Sequence, residues 1–126
     1  SYGGLMRYFT RVAPQFQGYI VEPAGAAVLA GHEPTGANHR IQGGGYARRR
    51  LTLLDGAAVD GHLQVTDDEA VAAARLLARE EGIFGGFSSG ANLAAALQVL
   101  RDHRPGATVV FLVCDSGLKY LSTDLY

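Results

Sequence analysis

Thr108-Val109-Val110-Phe111-Leu112-Val113 is an unbroken run of β-branched, aliphatic and aromatic residues. With no polar residue alternating along it, the run reads as a strand covered on both faces, as in a parallel sheet sandwiched between helices. Even extended to Ala107 and Cys114, it falls far short of the roughly 20 apolar residues of a membrane-spanning helix. A buried strand of this kind requires helices elsewhere in the chain, and the sequence provides them.

Leu5, Tyr8, Phe9 and Val12 stand at i, i+3, i+4 and i+7, one apolar stripe on a helix that Pro14 closes. Gly18 to Val21 reads as a short buried strand ended by Glu22-Pro23. From Ala24 to Gly45 the chain shows no sustained period, so it is read as loop with one short helix near Ala26 to Ala30. His62 to Val65 alternates weakly and leads into Thr66-Asp67-Asp68-Glu69, a capping box. A helix is expected from about Asp67 to Glu80, its apolar face made of Ala70, Ala73, Ala74 and Leu77, with Gly82 as its stop. Ile83-Phe84 opens another short strand, and Gly85 to Gly90 forms a glycine-serine turn. Leu93, Ala96, Leu97 and Leu100 then give a helical stripe that ends before Pro105-Gly106. This alternation predicts an α/β fold, a layered, mostly parallel sheet with flanking helices. At 126 residues, one such domain can bury about two-thirds of its unfolded surface without a disulfide or metal staple.

Eleven basic against twelve acidic side chains leave a formal net charge of −1. Without a basic excess there is no electrostatic support for a nucleic-acid partner, and Arg48-Arg49-Arg50 is read as a solvated loop edge. The sole cysteine, Cys114, excludes an intramolecular disulfide and fits a reducing, cytoplasmic compartment; its thiol is expected to be buried and structural. No charged and apolar leader opens the chain, so no membrane association is expected. His32, His39 and His62 lack metal-ligand spacing and read as solvated or capping residues, so no metal is expected.

Chemistry concentrates at Gly82-Ile83-Phe84-Gly85-Gly86-Phe87-Ser88-Ser89-Gly90-Ala91-Asn92, which places two hydroxyls where a turn feeds a helix N-terminus. Ser88 or Ser89 could cap the helix, cradle a phosphate, act as a nucleophile or hydrogen-bond a ring nitrogen. Gly86-Phe87-Ser88-Ser89-Gly90 also fits the G-x-S-x-G elbow of serine hydrolases using Ser88. The only downstream histidine, His103, directly follows Asp102; adjacent helical residues point about 100° apart, so the pair could not serve Ser88 together.

Read with Val21-Glu22-Pro23, Ala27-Val28-Leu29-Ala30-Gly31, His39-Arg40-Ile41-Gln42-Gly43-Gly44-Gly45 and Asp115-Ser116-Gly117-Leu118-Lys119-Tyr120-Leu121-Ser122-Thr123, the serine turn resembles the C-terminal part of the cysteine synthase (O-acetylserine sulfhydrylase) and cystathionine β-synthase family. These are pyridoxal-phosphate enzymes of the tryptophan-synthase-β fold type, and the resemblance runs from about Ser1 to Tyr126 in the family's order. It implies that residues 1–126 form a single C-terminal fragment, part of the large domain of a fold-type II pyridoxal-phosphate enzyme. The N-terminal lysine-bearing half then lies outside the chain. It further implies that Ser88 hydrogen-bonds the cofactor's pyridine nitrogen and that Gly43 lets the backbone approach the cofactor closely. A neutral hydroxyl does not hold that nitrogen protonated, which favours β-elimination and replacement over other fates of the substrate carbanion.

Aligned without gaps, the last residue of the family's G-T-G-G-T phosphate loop falls on Ser1, where this chain opens without a methionine, so the cradle is partial here. The Schiff-base lysine of the family lies ahead of the resembled region. Lys119, the sole lysine, matches a different basic position and reads as a surface charge, so no residue of this chain is expected to be catalytic. The parent reaction implied is replacement of the β-substituent of an activated serine such as O-acetylserine by sulfide, with a small amino-acid substrate and a homodimeric enzyme, the isolated chain being inactive. The alternative is a non-catalytic or split-gene module that docks on a separate N-terminal half or another partner. Two departures from the family stand out: Cys114 replaces a proline, and the arginine triplet replaces a mostly apolar stretch.

Overall fold

A computed structural model describes residues 1–36 and 38–126. Ala37, inside the expected loop 24–45, lies outside the described residues. The regular elements are α1 (Tyr2–Val12), β1 (Tyr19–Pro23), β2 (Gly61–Val65), α2 (Asp67–Glu81) and α3 (Phe87–Gln98). β1 and β2 pair in parallel, with Tyr19 opposite Gly61 and Pro23 opposite Val65. The expected α/β class holds: a small parallel sheet with helices packed against it. No helix among the described residues is long and apolar enough to cross a membrane.

The sheet rests on α2 and α3. Ile41, Leu63, Val65, Ala70, Ala91, Ala95 and Val99 form one buried cluster, with Tyr19, Val21 and Val109 packed against it. A second cluster joins Val71 and Ala74 to Phe87, Tyr120 and Leu125. Ala70, Ala73, Ala74 and Leu77 are all buried, as their spacing predicted. Ala70 and Ala74 are small where α3 comes very near: a Cβ added at Gly90 would lie 2.0 Å from the Ala70 carbonyl oxygen and 2.8 Å from the Ala74 methyl.

α2 begins with the expected capping box. The Thr66 hydroxyl accepts from the Glu69 amide, and the Glu69 carboxylate accepts from the Thr66 amide. Gly82 ends the helix in the left-handed conformation at φ 67°. The Thr66 amide, then the Thr66 hydroxyl, holds the Glu69 carboxyl below its ordinary value of 4.5. A depressed folded-state value means that this contribution is present above the ordinary carboxylate range and is lost as pH falls through the lower folded value. Thr66→Ala is expected to cost about 1 kcal/mol in a urea titration at neutral pH, with the deficit shrinking in acid.

Four expectations need correction. Ile83-Phe84 forms no strand; both side chains are exposed, and only Gly85 makes an isolated bridge, to Ser116. Near Ala26 to Ala30 there is a 3-10 turn, Ala24–Ala26, because Glu22 takes the Leu29 and Ala30 amides and leaves no continuous helical ladder. The stripe on α1 faces outward, with Leu5, Tyr8 and Val12 at 50%, 53% and 56% exposure, while Gly3 and Met6 form the buried face. On α3 the buried face includes Ala91, Ala95 and Ala96, so Ala96 alone of the expected stripe is buried, and the helix passes into a π-turn at Val99–His103 before Pro105.

The run that opened the sequence reading departs furthest from expectation. Residues 108–113 form no strand ladder with any described residue, and Val110, Leu112 and Val113 are 86%, 54% and 40% exposed. Val109 alone packs on the core cluster. The composition is that of a doubly covered strand, but the neighbours that would cover it are not among these residues.

Candidate functional site

The C-terminal residues fold back on the glycine pair ahead of α3. The Gly86 amide donates to the Asp115 carbonyl, Gly117 to the Phe84 carbonyl, and the Tyr126 hydroxyl to the Gly85 carbonyl. A Cβ at Gly86 would meet Asp115 Oδ1 and the Tyr120 ring, both at 2.3 Å, so only glycine permits this approach. The fold-back sets the first turn of α3 against residues 114–120. Together with β1 and the turn after Ile41, these elements enclose a cleft of about 570 Å³.

Ser88 and Gly43 both line this cleft. Ser88 is the second residue of α3, after the N-cap Gly86, and is partly exposed. Neither serine caps the helix with its side chain. Ser89 is fully buried, and its hydroxyl accepts from the Cys114 amide at 3.1 Å, tying α3 to the end of the 108–113 run. The Ser88 hydroxyl makes no hydrogen bond among the described residues and remains open to the cleft. Gly43 has φ +86° with open space where a Cβ would stand, so backbone conformation demands the glycine, and the free volume lies over the cleft. Ser1 is exposed at the N-cap of α1 and is not among the cleft's lining residues.

One lining residue contradicts the sequence reading. Cys114 is exposed and not buried, its thiol 3.5 Å from Asn92 Nδ2. The backbone amide of Cys114 is engaged by Ser89, which turns the short side chain outward to the cleft. Lys119 is a surface residue, as expected, but it too lines the cleft, 3.7 Å from Asp115.

Asp115 is the residue that the sequence reading passed over. One carboxylate oxygen accepts from the Tyr120 hydroxyl at 2.7 Å, while the other is buried without a partner among the described residues. Burial first, then the hydrogen bond to Asp115 and its charge, push the Tyr120 hydroxyl up to about 12. Because the folded-state value is raised, this linkage stabilises fully below the ordinary 10.0 and is lost as pH rises through about 12. In Asp115→Asn, the highest-titrating tyrosine is expected to move back toward the ordinary value in an ultraviolet titration. An unchanged midpoint would separate Tyr120 from Asp115. The Asp-Tyr spacing in Asp115-Ser116-Gly117-Leu118-Lys119-Tyr120 was a usable signal once a turn was assumed there.

The hydrolase constellation is not assembled. Among the described residues no histidine lines the cleft, and Asp102 pairs with Arg101 at 2.7 Å. At 1.5 Å per helical residue, His103 stands roughly 20 Å along the helix from Ser88. Among the described residues no cluster of His, Cys, Asp or Glu could hold a metal ion. Elsewhere, the arginine triplet is exposed, with Arg49 paired to Glu33 and Arg50 to Asp55. His39 is partly buried, its Nε2 3.1 Å from the Gly45 carbonyl oxygen, and His62 lies 3.7 Å from Glu22.

The cleft therefore offers an open hydroxyl at a helix N-terminus, a glycine-rich wall and an acid-phenol pair. That set suits the ring end of pyridoxal phosphate, a flat heteroaromatic needing one hydrogen-bond partner at nitrogen and little side-chain bulk beside it. The phosphate end finds no comparable cradle among the residues that line this cleft.

Comparison with known proteins agrees with this geometry. Residues 1–115 match the family described as pyridoxal-phosphate dependent enzyme. A cysteine synthase of Staphylococcus aureus is 36% identical over 123 residues, covering 98% of this chain and 39% of that protein. A probable cysteine synthase of Bacillus subtilis is 38% identical over 115 residues, 90% of this chain and 35% of its own length. Among solved structures, an O-acetylserine dependent cystathionine beta-synthase from Helicobacter pylori matches with a TM-score of 0.88 and 31% identity over 99% of this chain and 40% of its own. A cysteine synthase from Entamoeba histolytica gives 0.84 and 31%, over 98% and 36%. The chain thus spans about two-fifths of the length of these relatives. With the match extending through the serine turn to Asp115, the chain belongs to the pyridoxal-phosphate dependent enzyme family and corresponds to part of a cysteine-synthase-like member.

Proposed function

We propose that this chain forms the ring-binding side of a cysteine-synthase-like active site, in an enzyme that replaces the acetoxy group of O-acetylserine with sulfide to give cysteine. The observation that carries this reading is the Ser88 hydroxyl, without a hydrogen-bond partner among the described residues, in a cleft that the Gln42–Gly45 turn also lines. When bound, pyridoxal phosphate supplies the electron sink for a substrate carbanion. Ser88 presents a neutral hydroxyl to the ring nitrogen, Gly43 leaves room for the ring, and the pairing of Asp115 with Tyr120 holds the Gly86 turn that aims Ser88. Ser1 lies at the edge of a phosphate cradle whose remaining amides come from outside these residues. No catalytic group is assigned to this chain, and Lys119 is not the cofactor's anchor. The active enzyme is a cytoplasmic homodimer acting on a small amino acid.

The test is a chimera in which this chain follows the preceding portion of the Staphylococcus aureus relative, assayed for cysteine from O-acetylserine and sulfide. Ser88→Ala is expected to lower kcat at least tenfold, a loss of about 1.4 kcal/mol or more, with the melting temperature unchanged because the side chain holds nothing within the fold. A chimera that binds the cofactor yet makes no cysteine would overturn the substrate assignment. Labelling of Ser88 by a fluorophosphonate would return the hydrolase reading. A docking role for the chain is favoured by one observation, the uncovered apolar run at 108–113.

A further inference from the structure

The Gln42–Gly45 turn beside the cleft holds three glycines and an exposed glutamine, so it has almost no side chain of its own to fix it in place. Its position is set from its two ends. At one end a Cβ on Gly45 would stand 2.6 Å from the Pro23 ring, and the Gly45 carbonyl oxygen lies 3.1 Å from His39 Nε2. At the other end Ile41 is buried in the core, and Arg40 directly before it is tied in three ways. The Arg40 amide donates to both carboxylate oxygens of Asp67, at the start of α2, at 2.9 Å each. Its guanidinium pairs through Nη2 with Asp124 Oδ1 at 2.5 Å and lies over the Phe87 ring, 5.4 Å from the centroid. Arg75 of α2 fixes the backbone at this corner by donating to the Asp124 and Leu125 carbonyls. Phe87 is buried, meets Tyr120 edge-on at 5.2 Å, and is the first residue of α3, next to Ser88. Arg40 thus stands three residues before Gly43 and rests on the residue before Ser88, yet it is not among the residues that line the cleft.

We propose that Arg40 is a positioning residue of the ring-binding cleft, holding the Gly43 turn and the Ser88 end of α3 at a fixed spacing through Asp124 and Phe87. The inference rests on the reading of the cleft given above and adds a residue outside it that keeps two of its sides in place. The clamp sets position more than stability. Asp124 is well exposed, and an ion pair of that kind adds little to folding because water screens it and two long side chains lose freedom. What the pair supplies is orientation: Asp124, on a backbone held by Arg75, keeps the guanidinium over the ring. Arginine suits the task because a planar guanidinium stacks on an aromatic face while its N–H groups donate to a carboxylate, which an ammonium cannot do. With the spacing lost, the Ser88 hydroxyl and the Gly43 backbone no longer meet one ring together, so turnover suffers more than substrate affinity.

The experiment perturbs the clamp from its remote end. Asp124→Asn weakens the guanidinium's anchor without touching the cleft, since Asp124 is not a lining residue. In proton–nitrogen correlation spectra of the 126-residue chain without cofactor, the Gly43 and Ser88 amide signals are expected to move together in Asp124→Asn. In an Arg40→Ala background the same substitution should move neither, as a double-mutant cycle requires when both effects run through one residue. In the chimera described above, Arg40→Ala and Asp124→Asn are each expected to lower kcat about fivefold, with the KM for O-acetylserine changed less than about twofold. The double variant should fall no further than Arg40→Ala. Arg40→Lys should recover little, because its ammonium reaches Asp124 without stacking on Phe87. Melting should be unchanged throughout, as for a surface pair. Signals that move at one site only, or that still move in the Arg40→Ala background, overturn the proposal, as does full activity in Arg40→Lys. A chimera that makes no cysteine before any substitution defeats the proposed reaction alone, because the cofactor-free spectra still decide the role of Arg40.

Discussion

Gly90→Ala is expected to destabilise the chain by about 3 kcal/mol in urea or guanidinium titrations, at the upper end of the overpacking range. The added methyl would stand 2.0 Å from the Ala70 carbonyl oxygen, 2.8 Å from the Ala74 methyl and 2.9 Å from the Ala74 amide nitrogen. Two of those neighbours are backbone atoms in the middle of α2, so no side chain can rotate away. The helices must instead separate, which loosens the contacts of Ala73, Ala74 and Ala91 together. The denaturation midpoint should fall with the slope unchanged, since the unfolded chain gains only a methyl group. A loss below 0.5 kcal/mol would mean that α2 and α3 do not meet at Gly90. The same shift would displace Ser88, two residues earlier on the helix. Any residual cofactor binding should therefore fall more steeply than in Ser88→Ala, where the helix stays in place.

Glu22→Ala is expected to cost a similar amount, about 2–3 kcal/mol. Glu22 is only 4% exposed, yet both carboxylate oxygens are used: Oε1 accepts from the Leu29 amide and Oε2 from the Ala30 amide, each at 2.9 Å. Charge-assisted bonds of this kind contribute more than neutral ones, and truncation leaves two partly buried amides without partners. Glu22→Gln, which keeps one acceptor oxygen and loses the charge, should recover part of the deficit. Hydrogen exchange at Leu29 and Ala30 locates the effect, since those amides should become labile while the α2 amides remain protected. Uniform loss of protection throughout the chain would assign Glu22 to the global core and not to this loop.

These two residues show how the sequence was and was not legible. Glu22-Pro23 was readable as the end of a strand, because proline ends a ladder and the apolar run before it stops there. That the glutamate turns inward to hold a loop seven residues ahead was not readable, since its partners are backbone amides that every loop possesses. Gly90 was readable as part of a glycine-serine turn. Its actual constraint is the carbonyl of Ala70, which local spacing cannot announce. The capping box at Thr66 and the buried face of α2 were legible throughout because their signals lie within one helical turn of each other.

The site divides in the same way. Ser88 and Gly43 could be named from the resemblance, and the fold brings both to one cleft. Asp115 entered only with the tertiary structure, because its partner Tyr120 and its contact with Gly86 depend on the C-terminal residues folding back. Cys114 was misjudged for a physical reason: composition makes a lone cysteine a core residue, whereas here its backbone amide is held by Ser89 and its thiol faces open space.

By itself, the sequence determined that the chain has an α/β fold, where α2 begins and ends, and where a glycine-serine turn feeds α3. Each of these follows from contacts between residues close along the chain. Only the tertiary structure decided which apolar residues are buried on α1, on α3 and in the run at 108–113. The stripe on α1 and the run at 108–113 have the composition of covered surfaces, but burial requires a second surface to exclude water. Among these residues that surface is present for α2 and α3 and lacking for Val110 and Leu112.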